Sequence, residues 1–116
     1  MQMRSVSGLV LFVLMAACIG GAAAAELSGR QSMLLANNCL QCHARPGVPA
    51  PQIGDAAAWN KLAGKGEAAL LANAVQGLGG MPPLGYCSAC TEQDFRALIR
   101  FMAKLPAPAA PAGAAK

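Results

Sequence analysis

Cys39, Cys42 and His43 stand together in the stretch CLQCH, two cysteines three positions apart followed at once by the one histidine of the chain. Three soft or borderline ligands within five residues imply that something is attached there, and the rest of the sequence has little with which to build an ordinary core. Residues 26–105, the part available for folding, hold two phenylalanines, one tryptophan and one tyrosine. A domain this small buries only about 60% of the surface its unfolded chain exposes and usually needs a staple. A cofactor or a disulfide is therefore expected to complete the core.

The two ends are set aside for physical reasons. Arg4, the apolar run VSGLVLFVLMAAC at 6–18 and the small residues of AAAAE at 22–26 read as an export signal over residues 1–25, cleaved after Ala25. Two other readings stay open. The apolar run continued through the alanines reaches about the 20 residues a membrane helix needs, and LMAAC ending at Cys18 is similar to a bacterial lipoprotein signal, with Met15 where leucine is usual. All three place the folded part outside the cytoplasmic membrane: periplasmic when cleaved, otherwise lipid- or helix-anchored. At the far end PAPAAPAGAAK, 106–116, is a Pro/Ala tail that cannot pack. The 55% apolar composition is inflated by alanine at both ends. Without residues 1–25 the nine basic residues lose Arg4 and become eight against five acidic, with no Lys/Arg cluster, so neither nucleic acid nor an anionic membrane surface is implied.

Between these ends the pattern is helical, with no good strand. Ser28 and Gln31 form a capping box that opens a helix through MLLANN into Cys39. ARPGVPAPQIG at 44–54, with three prolines and two glycines, must be loop. Asp55 caps a short helix, AAAWNKLA, closed by Gly64. Glu67 to Gln76 forms another, with Leu71, Ala74, Val75 and Leu78 on one apolar stripe. Thr91 caps the last, where Phe95, Leu98, Ile99, Met102 and Leu105 face inward, Glu92, Arg96 and Arg100 face water, and Pro106 stops the helix. The expectation is an all-α domain of about four short helices and long structured loops.

In this setting CLQCH has the spacing that lets both thiols add across the vinyl groups of one haem, with the adjacent imidazole as proximal iron ligand. Cys39 and Cys42 are the expected thioethers and His43 the expected ligand. A dithiol redox site lacks the βαβ scaffold it needs. A four-thiolate zinc site on Cys39, Cys42, Cys87 and Cys90 is the sharper alternative, opposed by the histidine, the export signal and the missing strands. With no second histidine, the sixth ligand falls to methionine. Met33 and Met102 read as core. Met81, in GLGGMPPLG between Gly79, Gly80 and Pro82, Pro83, reads as the ligand: the glycines permit close approach to a flat group and the prolines stiffen the chain presenting the sulfur. A His/Met set fills the iron and raises its potential. An open site, made by a dissociable Met81 and able to bind gas, remains the alternative.

CLQCH, APQIGDAAAW at 50–59, GGMPPLG at 79–85 and CSAC at 87–90 together resemble the small bacterial class I c-type cytochromes of the cytochrome c5 type, over about residues 28–105. The resemblance implies the small class I cytochrome c fold wrapped around one covalently attached haem c. It implies a disulfide between Cys87 and Cys90, which would pin the Met81 loop, and a hydrogen bond from the second ring nitrogen of His43 to the Pro51 carbonyl. Trp59 is either a neighbour of a haem propionate or a core aromatic. Leu84 departs from the basic residue common in the family. The implied function is one-electron transfer between redox proteins in the periplasm, not enzymatic catalysis, through transient contacts under about 1,200 Å². Membership of a dehydrogenase or oxidase complex is the alternative.

Overall fold

A computed structural model describes residues 25–108. The proposed signal segment up to residue 24 and the tail from residue 109 lie outside the described residues. Five α-helical segments follow one another: α1 (Gly29–Leu34), α2 (Leu40–His43), α3 (Ala56–Ala63), α4 (Glu67–Gln76) and α5 (Glu92–Ala103). No strand occurs among the described residues; an isolated bridge joins Leu78 to Met81.

The first helix is less regular than its sequence suggests. Ser28 closes a capping box with Gln31 at its start. Between α1 and α2, Leu35–Cys39 forms a π-helical turn in which the Leu40 N–H reaches back to the Leu35 carbonyl. Such turns insert one extra residue into a helix and are frequent at functional sites. Here the insertion ends on Cys39, and Asn38 Nδ2 donates to the Leu34 carbonyl at 2.9 Å beside it. Helix α3 starts on Asp55, whose side chain accepts from the Ala58 N–H. Helix α5 starts on a second capping box, Thr91 with Asp94.

Helix α5 organises the core. Phe95, Leu98, Ile99 and Met102 are buried on it, Leu98 to 1% exposure. Each such burial is worth roughly 1.5–3 kcal/mol. Leu35, Trp59, Leu98, Met102 and Ala103 form one apolar group; Leu70, Ala74, Cys87, Phe95 and Ile99 form a second.

Three sequence expectations need correction. Met33 is 62% exposed and not core, because the residues that pack inward here are Leu34, at the end of α1, and Leu35, at the start of the π-helical turn. On α4 the residues buried in protein are Leu70 and Ala74, while Val75 and Leu78 are exposed, Leu78 to 60%. Arg96 and Arg100 do not simply face water. Both grip Glu67 of α4: Arg96 Nη1 at 2.9 Å, and Arg100 through Nε and Nη2 at 2.7 Å each, a two-pronged pairing that locks α4 to α5. Burial alone would raise the Glu67 pKa, and the bonds from Arg96 and Arg100 outweigh it and lower it.

The sequence also gives no hint of the junction between α1 and α5. Asp94 is buried, and its carboxylate accepts from Arg30 Nη1 at 2.7 Å, from Gln31 Nε2 at 3.3 Å and from Thr91. The Arg30 guanidinium, then the Thr91 and Gln31 donors, hold its carboxyl well below the usual carboxylate range. A depressed carboxyl contributes stability above its ordinary pKa of about 3.9 and loses it as the pH falls towards the folded value. Arg30 Nη2 also donates to the Ala89 carbonyl at 2.9 Å, so this junction steadies the chain beside Cys90.

Candidate haem-attachment site

The prospective attachment residues share one helical end. Cys39 closes the π-helical turn, Cys42 lies on α2, and both thiols are free; Cys39 is half-buried and Cys42 exposed. Burial pushes the Cys39 thiol pKa up. His43, the last residue of α2, is buried to 8%. Its Nδ1 lies 2.8 Å from the Pro51 carbonyl oxygen. A carbonyl only accepts, so the ring proton is on Nδ1 and Nε2 carries the free lone pair. That is the tautomer a metal-binding imidazole needs.

The loop opposite α2 is stitched to it. The Ile53 N–H donates to the His43 carbonyl at 2.7 Å, and Gln52 Nε2 donates to the Cys42 carbonyl at 3.1 Å. Trp59 is 5% exposed, with its ring centroid 5.8 Å from that of His43 at an interplanar angle of 31°. Its indole N–H is committed to the Gln52 carbonyl at 2.9 Å. Trp59 thus packs in the core group with Leu35 and Leu98, and its ring lies beside the imidazole.

The Met81 loop is built differently. Gly77 ends α4 at φ 82° and ψ 157°, a region open essentially to glycine alone. A Cβ there would stand 2.8 Å from the Met81 carbonyl oxygen and 2.9 Å from the Pro83 nitrogen. Leu78 and Met81 exchange two backbone hydrogen bonds, 3.0 and 2.9 Å. At Gly79 and Gly80 a Cβ would meet no protein atom within 4 Å, and Gly79 takes φ 55°; the glycine that the sequence reading does not single out is Gly77. The available signal was its place just after a helix, where glycine commonly adopts positive φ. Beyond Met81, Leu84, Gly85 and Tyr86 all take left-handed backbone, φ 60°, 54° and 61°. Cys87 is buried, and a disulfide joins it to Cys90. The half-buried Met81 and Leu84 pack against the group formed by Leu70, Ala74, Cys87, Phe95 and Ile99. The turn ending at Cys39 packs against Pro83–Tyr86, which brings the attachment segment to the Met81 loop.

With Cys87 and Cys90 joined to each other, a four-thiolate zinc site is not formed, and no cluster of three or more His, Cys, Asp or Glu exists among the described residues. Two free thiols and an imidazole nitrogen without a protein partner on one helical end are the donor set that a covalently bound haem requires.

Over 74 residues the chain is 38% identical to a protein named cytochrome c5 from Ectopseudomonas mendocina, covering 62% of this chain and 85% of that relative. The chain belongs to the cytochrome c5 family of class I c-type cytochromes. A second cytochrome c5, from Azotobacter vinelandii, is also 38% identical over 74 residues, covering 62% of this chain and 89% of its own length. Residues 25–102 match the family model described as cytochrome c oxidase, cbb3-type, subunit III. Among solved structures, a chain from a crystal structure titled as the electron transfer complex of nitrite reductase with cytochrome c superposes with a TM-score of 0.60 at 35% identity, over 69% of this chain and 98% of that one. The fold is thus the small all-α cytochrome c fold, and the cytochrome carries one covalently attached haem c as a monohaem electron carrier. No helix among the described residues is long and apolar enough to cross a membrane.

Proposed function

We propose that this cytochrome is a periplasmic one-electron carrier with His/Met-ligated, low-spin iron, exported by residues 1–25 and working through transient contacts with other redox proteins. The observation that carries the reading is the 2.8 Å contact of His43 Nδ1 with the Pro51 carbonyl: an oxygen that can only accept calls for the proton on Nδ1, which leaves Nε2 as the one ring nitrogen able to ligate, beside two free thiols. Cys39 and Cys42 would hold the porphyrin as thioethers, and His43 and Met81 would be the axial ligands. When bound, haem c supplies a one-electron couple. Pro51 and Trp59 orient the imidazole, and the Met81 thioether favours the reduced state. Since His43 and the Met81 loop are fixed by hydrogen bonds, backbone conformation and a disulfide, little rearrangement accompanies a change of charge. The domain boundaries proposed are residues 26–105 for the cytochrome and 106–116 for a Pro/Ala tail.

Optical spectra of the oxidised and reduced protein, beside Met81→Ala, test this reading. A covalent c-haem spectrum that loses its low-spin character in the variant is expected, with no rapid carbon monoxide binding by the reduced parent. Bare thiols by intact mass, or a Met81→Ala spectrum identical to the parent, would overturn it.

The match to a family model named for an oxidase subunit favours a second reading, service within a respiratory oxidase complex. The nitrite reductase complex among the similar structures favours a soluble reductase as acceptor. Copurification with a membrane oxidase, against stopped-flow oxidation by a soluble reductase, separates the two.

A further inference from the structure

The carbonyl that receives the His43 ring proton belongs to a residue with no N–H of its own. Pro51 lies in a loop with prolines at 46, 49 and 51, so the Ala50–Pro51 peptide just before that carbonyl has no N–H with which to be held. The side chain of Gln52 stands in for it. Its Nε2 donates to the Ala50 carbonyl at 3.0 Å and to the Cys42 carbonyl at 3.1 Å. One amide group thereby ties the Ala50–Pro51 peptide, next to the Pro51 carbonyl, to the turn that carries the prospective ligands. The main-chain carbonyl of Gln52 accepts from the Trp59 indole at 2.9 Å and from the Asp55 N–H at 3.0 Å, which fixes the residue from the side of α3. Gln41, the glutamine inside CLQCH, has no such place: its Nε2 donates to the Ala36 carbonyl at 3.2 Å, back onto the π-helical turn.

We propose that Gln52 is a positioning residue for the proximal imidazole: by bridging the Cys42 and Ala50 carbonyls it holds the Pro51 carbonyl on the His43 Nδ1 proton and so sets the basicity of Nε2. This rests on the reading of His43 as an iron ligand. A carbonyl that accepts firmly from Nδ1 increases electron density on Nε2, and a more basic imidazole favours the ferric state. Without the bridge the Pro51 carbonyl is free to drift, the hydrogen bond weakens and the ferrous state gains.

The test uses the haem-loaded full chain. Gln52→Leu keeps the size of the side chain and removes both donors. The low-spin optical spectrum should be retained, the ferric-to-ferrous ratio at a fixed applied potential should fall up to about tenfold, which for one electron is about 59 mV, and the His43 Nδ1 proton should exchange with water about tenfold faster by NMR. Gln52→Asn, with the same donors on a shorter arm, should fall between the two. A normal spectrum with unmoved potential and unmoved exchange overturns the role of Gln52. Should Gln52→Leu fail to fold or load haem, the parent protein decides: the Nε2 protons of Gln52 should exchange more slowly than those of the exposed Gln93, and equal rates overturn the proposal. A separate control addresses the underlying reading. If His43→Ala leaves the axial spectrum unchanged, the ligand assignment falls, whereas normal ligation in that control's parent with an unmoved Gln52→Leu potential sinks only the positioning role.

Discussion

The loop at 44–55 and the loop at 77–90 each deliver one of the contacts the proposed haem site needs, and they are held by different physics. The first is pinned by polar side chains: His43 on Pro51, Gln52 on Cys42 and Ala50, Trp59 on Gln52. The second lies inside a run from Ala68 to Thr91 that has no Asp, Glu, Lys, Arg or His. It relies on short backbone hydrogen bonds, on left-handed residues and on the Cys87–Cys90 disulfide. Individual hydrogen bonds contribute about 0.5–1.5 kcal/mol each, so the polar loop should soften by small steps. Backbone conformations open to few residue types fail all at once. The Met81 loop should therefore be the more fragile of the two.

The comparison is broken most severely at Gly77. Gly77→Ala puts a Cβ into the Met81 and Pro83 backbone at a φ and ψ suited to glycine, and should cost about 3 kcal/mol in urea unfolding, with loss of the Met81 spectral signature. Replacing Cys87 and Cys90 together by serine should cost about 2 kcal/mol, since the bridge closes a short loop, and the change should concentrate in amide exchange of residues 81–90. On the polar side Trp59→Phe removes one donor from the Gln52 carbonyl, which still accepts from the Asp55 N–H, so a loss of about 1 kcal/mol is expected in thermal unfolding. The smallest effect is a gain. Tyr86 is 82% exposed at φ 61°, so Tyr86→Asn, better suited to left-handed backbone, should stabilise by about 0.5 kcal/mol. A polar-loop variant that costs more than Gly77→Ala would reverse the ranking.

What could be read in advance was mostly local. The caps at Ser28, Asp55 and Thr91 are legible because a cap is decided by residues three positions away. The inward stripe of α5 is legible because its period is unbroken and four of its five apolar members are buried. The same reasoning failed on α4. Periodicity finds an apolar face, but it does not say whether protein or a cofactor covers it, and Val75 and Leu78 are exposed in the polypeptide. The π-helical turn before Cys39 was also hidden, because its hydrogen-bond slip leaves no mark in composition.

CLQCH, Met81 among glycines and prolines, and the paired cysteines before the last helix were enough for the sequence to name the cofactor and the family, because covalent attachment demands fixed residue types at fixed spacing. Tertiary structure alone decided which groups hold those residues in place. Asp94 meets Arg30 across 64 positions, Glu67 meets Arg100 across 33, and Gln52 reaches Cys42 across ten through a loop whose path its prolines restrict but do not determine. Such partners depend on where the chain returns, and a hydrogen bond between distant residues is specified by the packing of whole helices rather than by any stretch of sequence around either end.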